Sequence, residues 1–171
     1  MFLLSDIMDI LKLEPGDVNR INVFIECLKD SRDFCKYDKK TEGFVLKKVL
    51  KSSFPGCYGF VPKTHHIDAE PLDVIVLTSS PLQQGIVLQA RPIGIVRLKN
   101  KIIDDILIAV SLADKKFEKL FDLTKLQKNI LAKIKNFLEE FKNMEVENIF
   151  DAEHAKRSVE HAIELYKKEF G

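Results

Sequence analysis

The sequence predicts an α+β fold in which short strands close, or nearly close, into a barrel and two helices follow. Three observations carry that expectation. Short Val- and Ile-rich pieces bounded by turn residues recur between residues 21 and 112; helical periodicity replaces them at Asp122; and no linker, low-complexity tract or internal repeat divides the chain. Strands first and helices last argue against repeated βαβ units. Closure removes the unpaired edges that so many short strands otherwise expose.

In chain order, Ser5 caps a short helix carrying Ile7, Ile10 and Leu11, which ends near the Pro15-Gly16 turn signal. Strands are expected over 21–28, around Phe44 and Val45, and over 58–61, 73–78, 86–98 and 106–112. Leu123, Leu126, Ile130, Ile134, Phe137 and Phe141 recur at helical spacing and predict an amphipathic helix over 123–142. A second helix over 152–170 presents Ala155, Val159, Ala162, Ile163 and Tyr166, with Asp151 as its N-cap. One domain is the simplest organisation: an N-terminal extension (1–19), a barrel (20–113) and the helices (122–171).

Composition excludes several classes. The formal charge of +1, with lysines interleaved among acids, gives no reason to seek nucleic acid or a membrane surface as partner. Cys27, Cys35 and Cys57 are odd in number and lack metal-type pairing, so neither a disulfide framework nor a zinc knuckle is expected. Reduced thiols suggest the cytoplasm. The start, MFLLSDIMDILKL, is too short and too acidic for a signal peptide or membrane span, and no later apolar run approaches bilayer length. A soluble protein is the expectation.

The stretch DAEPLDV crowds Asp68, Glu70 and Asp73 just ahead of an apolar run. In a straight strand Asp68 and Glu70 share a face and Asp73 points away. Pro71 and the turn-like His65-His66-Ile67 favour a bend instead, and a bend can converge all three. Converged carboxylates titrate upward, lie apart in solvent, or hold a hard cation such as magnesium, calcium or manganese. A solvated acidic turn and a cation site both remain open on this motif alone. An EF-hand is excluded, for the loop lacks its glycine and closing glutamate. The Asp-x-Glu pair of metal-dependent exonucleases is disfavoured by the following proline and the want of suitably placed partner aspartates. His65 and His66 read as loop residues, with no third ligand evident for a transition metal.

Context changes the balance. NVFIE (22–26), CKYD (35–38), GFVLKKV (43–49), FPGCYGFVP (54–62), DAEPLDV, and PLQQG followed by LQARPIGIV to 96 occur in one order. That series resembles the family I soluble inorganic pyrophosphatases, over Asn22 to Lys142 and more loosely the last helix. The resemblance implies a hydrolase of phosphate metabolism that splits pyrophosphate into two phosphates with a metal-activated water. It also implies a five-stranded barrel of OB type flanked by helices, Mg2+ as cofactor with Mn2+ as the alternative ion, and a homo-oligomer, hexameric in bacterial members. By similarity Asp68, Asp73 and Asp104 are metal ligands, and Glu26 supports another metal or its water. Glu70 stands where the family places the carboxylate that accepts the water's proton. Lys36, Lys47, Lys142 and Tyr58 would bind phosphate oxygens; Glu70, Tyr58, Lys36 and Lys47 make up the catalytic set. Taken singly, each has a plainer reading: Lys142 as a cation at a helix C-terminus, Lys36, Lys47 and Asp38 as surface charges, Glu26 as a solvent-facing strand residue, Tyr58 as a packed ring.

The departures from the family pattern also set expectations. Asn100 and Ile106 stand nearest a metal-binding aspartate and a phosphate-binding lysine of the family, in a shortened hairpin between Arg97 and Ala109. The gap leaves open whether Asp104 or Asp105 faces the site, since a one-residue slip turns every side chain over. Glu70 replaces an aspartate, Lys47 an arginine, Asp38 a glutamate, and Phe54 and Phe141 replace tyrosines. The stretch from Met144 to Phe150 is shorter than the family's and predicts loss of a terminal strand. Two functions follow: a magnesium-dependent pyrophosphatase, in which these departures leave room for reduced activity or an altered metal preference, or a catalytically impaired relative serving as a ligand-binding or assembly module.

Overall fold

The computed structural model describes residues 12–66 and 69–170, and the backbone pairing of Phe2–Leu3. The helix expected from Ser5, with Ile7, Ile10 and Leu11, lies outside the described residues, as does Asp68. The strands are β1 (Phe2–Leu3), β2 (Gly16–Asp17), β3 (Arg20–Cys27), β4 (Asp33–Asp38), β5 (Gly43–Val49), β6 (Cys57–Val61), β7 (Leu72–Leu77), β8 (Ile86–Lys99), β9 (Ile103–Ser111) and β10 (Glu145–Phe150). The helices are α1 (Lys128–Lys142) and α2 (Ala152–Phe170).

Five strands form a closed ring. β8 pairs with β9, β9 runs parallel to β7, β7 pairs with β6, β6 with β3, and β3 returns to β8. Closure depends on β8, whose 14 residues are long enough to serve both β3 and β9. The register between β8 and β9 shifts between Pro92 and Gly94, where a residue without an N–H interrupts the ladder at least cost and a bulge bends the strand. This is the OB-like barrel with two C-terminal helices that the sequence predicts.

Both faces of the ring strands are buried, which is why they read as nearly continuous apolar runs. Val74, Val76, Leu107 and Ala109 pack on the side covered by Ala155, Val159 and Ala162 of α2. Ile75, Leu77, Ile106, Ile108 and Val110 pack on the side of Ile134, Phe137 and Leu138 of α1. The helix expected from residue 123 begins later: Leu123–Lys125 form a single 3-10 turn capped by Asp122, and the α-helix starts at Lys128. It ends where Asn143 takes the left-handed conformation (φ 53°) and its N–H bonds the Glu139 carbonyl. Asp151 caps α2 as expected, accepting the His154 N–H at 2.9 Å.

Two expectations about strands need correction. The terminal strand is present: β10 pairs antiparallel with Ile95–Lys99 of β8. The short stretch suffices because a tight turn after α1 lets Glu145 enter the sheet at once. A strand not foreseen, β4, pairs with β5 in a ribbon separate from the barrel sheet. Asp33–Asp38 is half-exposed and carries no apolar run, so its strand character was not visible in pattern. Among the described residues no helix is long and apolar enough to cross a membrane.

Candidate active site

Neighbouring strands of the ring, the β4–β5 ribbon and the end of α1 deliver charged side chains to one place. β7 supplies Asp73, β9 supplies Asp104, and the last turn of α1 supplies Lys142. The Lys142 Nζ stands 3.4 Å from Asp73 Oδ2 and 3.4 Å from Asp104 Oδ2. All three side chains are about one-fifth exposed, so the cluster is largely buried without being sealed from solvent.

Register settles which aspartate faces this cluster. Leu98 pairs with Asp104 and Arg97 with Asp105, so the two acids point to opposite faces of β9. Asp105 is buried and receives two hydrogen bonds from Arg97, Nε at 2.8 Å and a terminal nitrogen at 2.9 Å. That fork occupies Asp105 fully and leaves Asp104 to the cluster.

Glu26 enters from β3 and is 2% exposed. The β3–β6 register shifts between Ile25 and Cys27, and this irregularity carries Glu26. Its carboxylate accepts the Tyr37 N–H at 2.8 Å and Lys36 Nζ at 3.4 Å. Burial pushes the Glu26 carboxyl above its ordinary value of 4.5 despite Lys36 and the Tyr37 N–H, with the Asp73 charge adding to the rise. Burial pulls Lys36 down, but Glu26 and Asp73 outweigh it and leave the ammonium above its ordinary range. Asp104 is likewise raised, by burial first, with Lys142 opposing and Asp73 adding.

The Glu26 shift gives a stability prediction with a definite sign. A carboxyl whose folded pKa exceeds its unfolded one binds more protons folded, so stability falls as pH rises from 4.5 through the folded pKa. With divalent ions chelated, Glu26→Gln should therefore melt with the wild type below pH 4 and above it at neutral pH. Equal melting temperatures at pH 7.5 would remove the burial penalty from the account.

Tyr58, expected at the phosphate, is fully buried on β6, and its hydroxyl hydrogen-bonds Asp73. Burial, then the Asp73, Asp104 and Glu26 charges, hold its phenol well above the ordinary value and therefore neutral. Its ring belongs to an aromatic wall with Phe54 at 5.7 Å and Phe141 at 5.4 Å, and Phe34 stands 4.9 Å from Phe141. Phe54 and Phe141, at the tyrosine positions, thus serve packing.

The remaining predicted residues fall as follows. Lys47 is exposed on β5, in the ribbon whose other strand carries Lys36. Asp38 closes that ribbon's turn, accepting from the Lys40 N–H and the Thr41 hydroxyl. Glu70 is exposed beside Ala69, a residue at φ 61°, and its carbonyl accepts the His66 N–H at 2.8 Å. Ile106 is fully buried in the core, and Asn100 closes the β8–β9 turn by accepting the Ile102 N–H. Asn100 is thus engaged in its turn, while Ile106 shares the Asp104 face of β9, two residues further on, in the apolar core that includes Tyr58. His66, read from sequence as a loop residue, lowers the Asp104 pKa and so stands within electrostatic reach of it. Its adjacency to the DAEPLDV stretch was the only sequence signal.

Among the described residues no three His, Cys, Asp or Glu side chains lie close enough together to hold a metal ion. Asp73 and Asp104 supply two convergent carboxylates, and the third expected ligand, Asp68, belongs to the segment that is not described. The donor set is oxygen-only and acidic, which fits a hard divalent cation.

The inorganic pyrophosphatase family model matches residues 23–167. The chain belongs to this family. The inorganic pyrophosphatase of Haloferax volcanii is 35% identical over 91% of this chain and 93% of its own length. That of Halobacterium salinarum is 33% identical over 98% and 99%. Among solved structures, the inorganic pyrophosphatase of Helicobacter pylori superposes with a TM-score of 0.85 at 32% identity, covering 91% of this chain and 99% of that one. The Thermus thermophilus enzyme gives 0.85 at 28%, covering 94% and 99%. This pyrophosphatase-family chain therefore spans nearly the whole length of these four relatives.

Proposed function

We propose that this protein hydrolyses inorganic pyrophosphate to two phosphates by attack of a metal-activated water. The observation that carries the reading is the meeting of Asp73, Asp104 and Lys142, from three distant segments, in a chain that matches pyrophosphatases along its length. A doubly anionic wall facing ammonium groups is what a phosphoanhydride and its counter-ions need. A bound divalent cation, Mg2+ with Mn2+ as the alternative, supplies charge neutralisation and a water acidic enough to ionise near neutral pH.

The chain's own residues divide the remaining work. Asp68, Asp73 and Asp104 hold the cation, and Glu26, braced by Lys36 and the Tyr37 N–H, supports a further ion or its water. Glu70, exposed at the mouth of its loop, accepts the proton of the attacking water. Lys36, Lys47 and Lys142 bind phosphate oxygens of substrate and leaving group. Tyr58 is assigned to orienting Asp73, because its hydroxyl is already engaged there and its ring is sealed from solvent. The catalytically impaired module has no observation in its favour: Ile106 fills core and Asn100 shapes a turn, so their departures leave the acidic cluster intact. Three free thiols support a cytoplasmic setting, and exposed Leu46, Val49 and Ile102 support self-association into a homo-oligomer, a hexamer by family resemblance.

The test is phosphate release from pyrophosphate. Turnover should require added Mg2+ and stop on chelation; no release under any divalent ion would overturn the proposal.

A further inference from the structure

We propose that Lys142 is a built-in competitor for the metal: its ammonium ties Asp73 to Asp104, and a divalent cation that takes those carboxylates must first release it toward the phosphate side. The inference rests on the pyrophosphatase reading and adds an order of events to it.

The geometry is symmetric. One Nζ stands 3.4 Å from an oxygen of each aspartate, so Lys142 neutralises two strands at once. A dication drawn to the same pair meets the ammonium as a like charge at contact distance, and one of the two must move. Lys142 has somewhere to go. It is the last residue of α1, held at its base by the left-handed Asn143 cap, and its side chain keeps about one-fifth of its surface open to solvent. Its Nζ already lies 5.3 Å from the Phe141 ring centroid and 6.0 Å from that of Tyr58, faces that favour a cation. Phe141 offers no hydroxyl to draw it aside. The released ammonium is then an unpaired cation beside the acidic cluster, placed to meet a phosphate oxygen.

Lys36 does not share this role. It pairs with Glu26, whose other oxygen is tied to the Tyr37 N–H, so the pair is braced from the backbone. Removing Lys36 leaves Glu26 held by the Tyr37 N–H, whereas removing Lys142 takes the ammonium from both aspartates and leaves Asp73 with the neutral Tyr58 hydroxyl.

The test is calorimetric titration of Mg2+ into the chelator-stripped protein without pyrophosphate, comparing wild type with Lys142→Met, Lys142→Gln and Lys142→Arg. If the ammonium competes, Met and Gln should tighten Mg2+ binding by about tenfold, within the usual range of coupling between two sites. Arg, which keeps the charge, should stay near wild type. If Lys142 instead pre-positions the aspartates, Met and Gln will bind Mg2+ equally or more weakly, and the proposal is overturned. Circular dichroism melts confirm folding, and Lys142→Gln decides if the Met variant unfolds. A wild type that binds no Mg2+ sinks the pyrophosphatase reading as well; a wild type that binds while Met and Gln gain nothing sinks the competition alone.

Discussion

Asp73→Ala lowers phosphate release by at least about 100-fold, the scale seen when one preorganised charged partner is removed from a reacting centre. Three losses coincide at this residue. The proposed cation loses one of the two described carboxylates that converge on it. The buried Tyr58 hydroxyl loses its acceptor, leaving a polar atom unpaired in an aromatic wall. Lys142 loses one of its two anchors and falls toward Asp104 alone. Steady-state phosphate release at saturating Mg2+ checks the prediction, and the fold should survive, since Asp73 lies at the rim of the ring and not in its core. Activity within a few-fold of wild type would mean that the cluster is structural.

Gly59→Ala acts at the opposite end of the argument, on the fold that assembles the site. β6 crosses β3 at Gly59, and an added Cβ would run into the Phe24 carbonyl oxygen and approach its carbon at 2.8 Å. These are backbone atoms within a closed ring, so no side chain can swing aside. Overpacking against immovable neighbours costs about 3 kcal/mol or more. For a domain of this size that corresponds to a fall of roughly 6–12 °C in melting temperature. The same crossing carries the register shift that delivers Glu26, and Gly59 follows Tyr58 directly. Residual folded protein should therefore also lose turnover. Thermal melts followed by circular dichroism, with activity measured on the folded fraction, check both halves.

How far the sequence disclosed this arrangement varied with the kind of residue. Ring strands were legible where both faces are apolar, as at Val74-Ile75-Val76-Leu77, because burial on two sides leaves a continuous run. β4 was not, because its residues are half-exposed and gain their order from pairing with β5. Helix α1 showed its face, yet Leu123 and Leu126 are buried through a 3-10 turn that shares the helical period without extending the helix. In the candidate site, Asp73 was visible as part of a dense acidic motif, whereas Glu26, whose plainer reading was a solvent-facing strand residue, is buried and was marked for the site only by the family resemblance. Asp104 and Asp105 were indistinguishable until pairing opposite Leu98 and Arg97 fixed the face of each. The double anchoring of Lys142 is a tertiary fact: it joins positions 73, 104 and 142, and no local pattern encodes it.

The central claim is that folding brings Asp73 and Asp104 together to hold a divalent ion. Anomalous diffraction from a crystal soaked in Mn2+ tests it most directly. The account predicts a peak shared by Asp73 and Asp104, with none at Asp105, whose carboxylate stays on Arg97. Peaks only at other places, with ordered Asp73 and Asp104 carboxylates that share no ion at saturating Mn2+, would contradict it.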